Sequence, residues 1–348
     1  MKIIKRIIVW SILPLSIELM GLLYVDKVYL KPNSDYTIEK VEENEEKSIK
    51  NLEIPVDGNA KDIKLSYDGK YLSYIEDNNI VTINTLNGEK MQVDASSEGE
   101  LNYYNWLPDR HRMYIGEKIK NENGESYIKL YYYDRDKNEK NQILDNHYNK
   151  IKIPLANYKY NITDIVNSTL TGVAYIKVET NDNRYNIYRL NTMSQMEKFK
   201  GYLKIGNMEI LNRDDRMIYE DLKYDKVRIT DRENSLRIPD AENLCLLGVD
   251  GEDNIYLGNV KGDKIDKIYY GNIEKNEKLW NSVNITNPAK KQDIHVCKNG
   301  KVYIENKETG VIKDIFSGSE KKYNGRVIQY YNKGAGALYN GKFVKVEL

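Results

Sequence analysis

The arrangement best suited to chemistry is Asp134-Arg135-Asp136-Lys137-Asn138, with Asp145 eleven residues after Asp134, the spacing of a Ca²⁺-binding loop. Such a loop needs glycine at its sixth position. Here Glu139 stands there, and Lys137 and Lys140 lie inside the loop, so the segment reads as a hairpin turn with no metal site or cofactor. The three histidines, His111, His147 and His295, each lie alone among strand or turn residues, which points to packing rather than catalysis or metal binding. Cys245 and Cys297 are far apart and form no CxxC knuckle. They read as small buried hydrophobes, with a disulfide between neighbouring repeats as the alternative if the chain is exported. The run Tyr131-Tyr132-Tyr133 alternates across a sheet, so at most one face is free. Cross-strand packing is the plain reading, and a stacking platform for sugar or peptide is the other. No catalytic constellation emerges.

Lysine plus arginine and aspartate plus glutamate both number 53 among the 348 residues, so no global field draws the chain to nucleic acid. Thirty tyrosines stand against three phenylalanines. Their hydroxyls want water or a partner, which suits shallow sheets with much rim, and a mean hydropathy of -0.69 agrees with a thin core.

Lys2, Lys5 and Arg6 (in the segment 1–6) precede an apolar run over 7–25, interrupted by Ser11, Pro14, Ser16 and Glu18. That length suits an uncleaved transmembrane signal anchor, with 1–6 in the cytoplasm and the remainder outside the cell membrane. A cleaved secretory signal is the competing reading. Against it, the run is longer than a usual signal core, and neither a small-x-small site nor a lipid-accepting cysteine follows. Residues 26–50, crowded with Glu39, Glu42, Glu43, Glu45 and Glu46, read as an acidic spacer.

Beyond residue 51 short alternating strands are separated by Asn-Gly, Asp-Gly and Lys-Asn-Gly turns, and the class is all-β. The organising unit is Ile63 to Ile75, a strand, the Asp68-Gly69 turn and a second strand, extended by Asn79 to Lys90 into a four-stranded antiparallel unit. Equivalent turn positions at Asp68, Asp109, Gly172, Asp215, Asp253, Asn299 and Gly334 are spaced by 41, 63, 43, 38, 46 and 35 residues. Such periods predict a single β-propeller over 51–348, of about seven four-stranded blades with six as the alternative. The longest interval holds Asp145 to Asn161, read as a connection between blades. The short last interval leaves an incomplete final blade, for which Asn51 to Val56 is the candidate missing strand.

Ser66-Tyr67-Asp68-Gly69-Lys70-Tyr71-Leu72-Ser73-Tyr74 resembles the S-P-D-G-K-x-[IL]-[AS]-[YF] signature of TolB-type, WD40-like propeller repeats, which also build the propeller of dipeptidyl peptidase IV relatives. Trp106-Leu107-Pro108-Asp109-Arg110 resembles the same turn. The resemblance implies a propeller and does not imply an enzyme. Hydrolase relatives carry a separate α/β domain with a G-x-S-x-G elbow, and Ser317-Gly318-Ser319 lacks that spacing.

The expected function is therefore a membrane-anchored, extracytoplasmic, non-catalytic propeller that binds a protein or peptide. A cell-wall glycan binder is one alternative, and a hydrolase or lyase with its site in the central funnel is another. The least repeat-like stretch mixes cations and aromatics, so Tyr148, Lys152, Tyr158, Lys159 and Tyr160 are the candidate binding residues.

Overall fold

The computed structural model describes residues 2–25 and 52–348. The acidic spacer expected over 26–50 lies outside them, as do the side chains of Lys2, Lys5 and Arg6. Two compact units are distinguished, Met1–Ile49 and Lys50–Leu348. In the first, α1 (Lys2–Tyr24) is a helix with Pro14 inside it. Trp10, Leu15, Ile17, Leu19, Met20, Leu22 and Leu23 are exposed along it. Among the described residues, which leave out the side chains of 2–9 and 11–13, no helix is long and apolar enough to cross a membrane.

The second unit is a seven-bladed β-propeller. Its first strand, β1 (Ile54–Pro55), belongs to the last blade. Blade I follows as β2 (Lys61–Leu65), β3 (Tyr71–Glu76), β4 (Asn79–Asn84) and β5 (Lys90–Val93). Blade II is β6 (Glu100–Trp106), β7 (Arg112–Lys120), β8 (Ser126–Asp134), β9 (Glu139–Gln142) and β10 (Lys152–Leu155). Blade III is β11 (Ile162–Asn167), β12 (Ala174–Glu179), β13 (Tyr185–Leu190) and β14 (Met196–Leu203). Blade IV has β15 (Ile205–Ile210), β16 (Met217–Asp221) and β17 (Lys226–Ile229). Blade V is β18 (Leu244–Val249), β19 (Ile255–Lys261), β20 (Lys264–Gly271) and β21 (Asn281–Ala289). Blade VI is β22 (Ile294–Val296), β23 (Val302–Asn306), β24 (Val311–Asp314) and β25 (Glu320–Lys322). Blade VII is β26 (Arg326–Tyr331), β27 (Gly334–Tyr339) and β28 (Lys342–Glu347), completed by β1.

Closure follows the sequence expectation: Ile54 sits opposite Phe343 and Pro55 opposite Lys342, so proline's missing N–H falls on an outer edge. The turn that organises the repeat is also as expected. Gly69 takes φ +72°, its N–H donates to Ser66 O at 2.9 Å, and a Cβ there would strike the Tyr331 ring at 2.9 Å.

Two blades depart from the four-strand expectation. The stretch 145–161 is not simply a connection, because β10 pairs with Ser126–Lys129 of the long β8 while β9 pairs with its other half. Ile151, Ile153 and Leu155 alternate inward and bury themselves between blades II and III, which pulls Pro154 onto the exposed edge. Blade IV has three strands. The Leu236 N–H donates to Val227 O at 2.9 Å, and buried Leu236 and Ile238 cover the edge that a fourth strand would occupy.

Seven apolar clusters, one at each seam between blades, form the core of the described residues. The tyrosine excess has its explanation here. Tyr114, Tyr175, Tyr256 and Tyr303 hold similar places on second strands, each turning a buried ring toward the following blade. Their rims stay polar: Tyr175 donates to Asp215 O at 3.0 Å and Tyr256 to Asp250 at 3.0 Å.

Toward the preceding blade, second strands present large pairs: Leu72 and Tyr74, Met113 and Ile115, Met217 and Tyr219, Ile255 and Leu257. Blade VII presents only Ala335 and Ala337. Cys245 and Cys297 are buried and unpaired, and burial pushes both thiols up to about 11.

Candidate functional site

The under-filled seam between blades VI and VII holds a cavity of about 450 Å³, walled by Leu247, Ile294, Val296, Val327 and Ile328 and carrying Gln292, His295, Glu305, Lys307, Gln329 and Tyr330. Tyr330 is the pivot of its polar side. Its ring stacks on His295 with centroids 4.1 Å apart, and on Tyr303 at 5.7 Å. Its hydroxyl is buried without a hydrogen-bond partner, and so is His295 Nε2. Burial first, then the charge of Glu305, drives the Tyr330 hydroxyl far above its ordinary titration range, so it stays a neutral donor.

Glu305 is buried, accepts from the Tyr323 hydroxyl at 2.6 Å and lies 3.7 Å from His295 Nε2, too long for a hydrogen bond. Burial by itself would raise this carboxyl. The facing imidazole, the Tyr323 hydroxyl and Lys307 outweigh it and hold the group below the usual carboxylate range. Lys307 is kept at the rim by Asp293, at 2.6 Å. The seam cavity shares Val296, Gln329 and Tyr330 with a second hollow of about 220 Å³, which reaches Leu65, Tyr67 and Trp106 on blades I and II. The two hollows share these three residues as lining, and an apolar wall lies beside two buried polar atoms without hydrogen-bond partners, a setting suited to an apolar group that carries a hydrogen-bond acceptor.

A second polar assembly is built on the inner strands. Asp164 on β11 faces Lys177 on β12, whose Nζ donates to Gly206 O at 2.7 Å. Glu220 accepts the N–H groups of Asn207 and Leu246, both at 2.8 Å, and Lys291 Nζ at 2.5 Å. Lys64 sits 3.1 Å from Asp62 over the rings of Tyr103 and Tyr104. Asp164 is raised to about 6, by burial first and then by the charge of Glu209, against the opposing pull of Lys177 and Lys64. A carboxyl titrating near neutrality could move protons. Among the described residues, however, no group of His, Cys, Asp and Glu is placed to hold a metal ion.

His111, read from sequence as solitary, is bracketed by carboxylates. Its Nε2 is 2.9 Å from Asp68 and its Nδ1 3.1 Å from Asp136, and Tyr71 donates to Asp136 at 3.1 Å. This bracket ties the first turn of blade I to the β8–β9 turn. Asp134 is engaged there too, with Arg112 at 2.9 Å, so the stretch with calcium-loop spacing is a pinned hairpin.

The residues expected to bind are spread along 148–160. Tyr148 is exposed at a turn tip with φ +63°, and Lys152 lies over the Tyr127 ring at 4.4 Å. Tyr158 donates to Glu100 at 2.6 Å and supports Lys118 on its ring. Tyr160 packs on the blade II–III core and donates to Asn181. Lys159 is exposed. The two tyrosines nearest the blade are thus occupied by the protein itself. The seam cleft escaped sequence reasoning, although the run Gly334-Ala335-Gly336-Ala337 was its visible trace.

No family model and no curated protein matches the chain. Among solved structures, a prolyl endopeptidase analysed for inter-domain dynamics aligns with 77% of this chain at 12% identity and a TM-score of 0.50. The likeness is one of fold. This chain spans 42% of that endopeptidase's length. Kluyveromyces lactis Hsv2p aligns with 80% of this chain, over 89% of its own, at 12% identity and a TM-score of 0.49. An acylaminoacyl peptidase of Pyrococcus horikoshii aligns with 76% of this chain, over 45% of its own, at 12% identity and 0.45.

Proposed function

We propose that this protein is a non-catalytic binding propeller of the TolB-like, WD40-like kind. In this reading 7–25 anchors it in the cell membrane and the propeller takes up a protein or peptide segment on the outside. The observation that carries the binding reading is the cleft at the blade VI–VII seam, where an apolar wall lies beside the buried Tyr330 hydroxyl and His295 Nε2, neither of which has a hydrogen-bond partner. The anchor is supported by the placement of Lys2, Lys5 and Arg6 ahead of the apolar run and by the exposed apolar side chains of α1.

Tyr330→Phe removes a buried hydroxyl that bonds to nothing in the free protein. It should leave the melting temperature unchanged or slightly higher while reducing partner recovery by cross-linking from intact cells. Val327→Trp, which fills the cavity, should abolish that recovery. A cross-linking profile identical in all three proteins would remove the cleft from consideration. For the anchor, the protein should resist carbonate extraction from membranes and expose the propeller to external protease. Mature protein free in the medium would replace the anchor by a cleaved signal.

A hydrolase or lyase is the second reading, favoured by the near-neutral titration of Asp164 beside Glu209 and Tyr103 on the inner strands.

A further inference from the structure

A different surface, independent of the seam cleft, lies between blades III and IV. Three segments meet there: the short 3-10 turn Asn181–Asn183 with Arg184 behind it, the end of β14 with Lys204 between it and β15, and the β16–β17 turn over 222–225. They enclose a groove of about 460 Å³. Tyr202, Leu222 and Tyr224 line it and are each more than half exposed, a concentration of large apolar surface that a protein with so thin a core would be expected to bury. The groove has a fixed shape. Arg184 Nη1 donates to Tyr202 O at 3.1 Å, and the Tyr202 N–H donates to Asn186 Oδ1 at 3.3 Å. Lys223 lies over the Tyr224 ring at 4.7 Å.

Its lining carries three cations and one carboxylate. Arg184, Lys204 and Lys223 line the groove, and none of them has a carboxylate partner among the described residues. The single lining carboxylate, Asp221, is held by Arg228 at 2.8 Å. Asp182 and Asp225 flank the groove from the two turns. Three lining cations beside exposed Tyr202, Leu222 and Tyr224, with the one lining carboxylate already paired, give the groove a local cationic character.

We infer that this groove binds an acidic peptide segment that carries an apolar side chain. The cations call for an anion, and Tyr202, Leu222 and Tyr224 call for an apolar group between the charges. A polyphosphate or a lipid headgroup would use the first and leave the second wet. An extended peptide alternating acidic and apolar residues uses both.

The test employs the full chain and a fluorescein-labelled synthetic peptide alternating Glu with Leu, followed by fluorescence anisotropy. Saturable binding is expected, weakening as salt is raised. Combined Arg184→Glu, Lys204→Glu and Lys223→Glu should weaken it by about tenfold or more, because like charge now faces the ligand. Tyr224→Ala should weaken it as well, with the melting temperature unchanged in both. If the triple reversal perturbs folding, Lys204→Ala with Lys223→Ala replaces it. Absence of saturable binding, or variants that bind as the parent does, would overturn the inference. So would equal binding of polyphosphate or phosphatidylglycerol vesicles together with indifference to Tyr224→Ala, since that describes a general anion surface.

Discussion

A chain lacking residues 1–56 should unfold several kcal/mol more readily than one lacking 1–47, although the two differ by only nine residues. The difference lies in β1. Ile54 is 3% exposed and packs with Leu65, Leu72 and Phe343 at the seam that joins the last blade to the first. Losing it exposes that seam and leaves β28 as a bare edge. The Val56 N–H donates to Gly341 O at 2.9 Å, a further contact made only when the ring is shut. The exposed Lys342–Glu53 pair, at 2.6 Å, contributes little by comparison. Ile54→Ala isolates the packing component and should cost about 2 to 4 kcal/mol, the range for emptying a well-packed apolar site. Denaturant unfolding of the two truncations decides the matter. Equal midpoints would mean that the ring is held shut by the remaining contacts between the last blade and the first.

This closure was legible because it depends on local pattern: an apolar–polar alternation around Ile54, and a proline tolerable only on an outer strand. The repeat was legible for the same reason, since Asp68-Gly69 and its echoes each fix a turn with residues adjacent in sequence. The β10 strand was hidden by Pro154 and by the cations around it. Yet the alternation of Ile151, Ile153 and Leu155 was a strand signal of the ordinary kind.

The candidate site was far less legible, and the reason is geometric. His295, Glu305 and Tyr330 lie on β22, β23 and β26, so Tyr330 reaches the other two only across a seam between blades. Periodicity tells which residues face a seam and is silent on which side chains meet there. His111 misled in the same way, since Asp68 and Asp136 are 43 and 25 residues from it. Absence of bulk is harder still to read, because Ala335 and Ala337 matter only in comparison with the larger pairs that other blades place at the same seam position.

The inner strand β11 supplies a prediction that needs no ligand. Asp164 titrates at about 6 in the folded protein against an ordinary 3.8, so the folded state holds this proton more tightly than the unfolded chain does. Stability must therefore fall as pH rises through roughly 4 to 6, and the deficit persists above that window. The groups that set it are Glu209, which opposes ionisation, and Lys177 and Lys64, which favour it. Both lysines are themselves pushed down by burial, which limits how far they can compensate. Asp164→Asn keeps the shape and abolishes the titration. It should match the parent near pH 4 and exceed it by about 1 to 2 kcal/mol at pH 7.5, a discount from the full shift because the group still reaches solvent. Unfolding free energies measured at the two pH values test this directly. Parallel pH profiles for parent and variant would show that Asp164 ionises freely on the inner strands, and would also remove the observation on which the hydrolase or lyase reading depends.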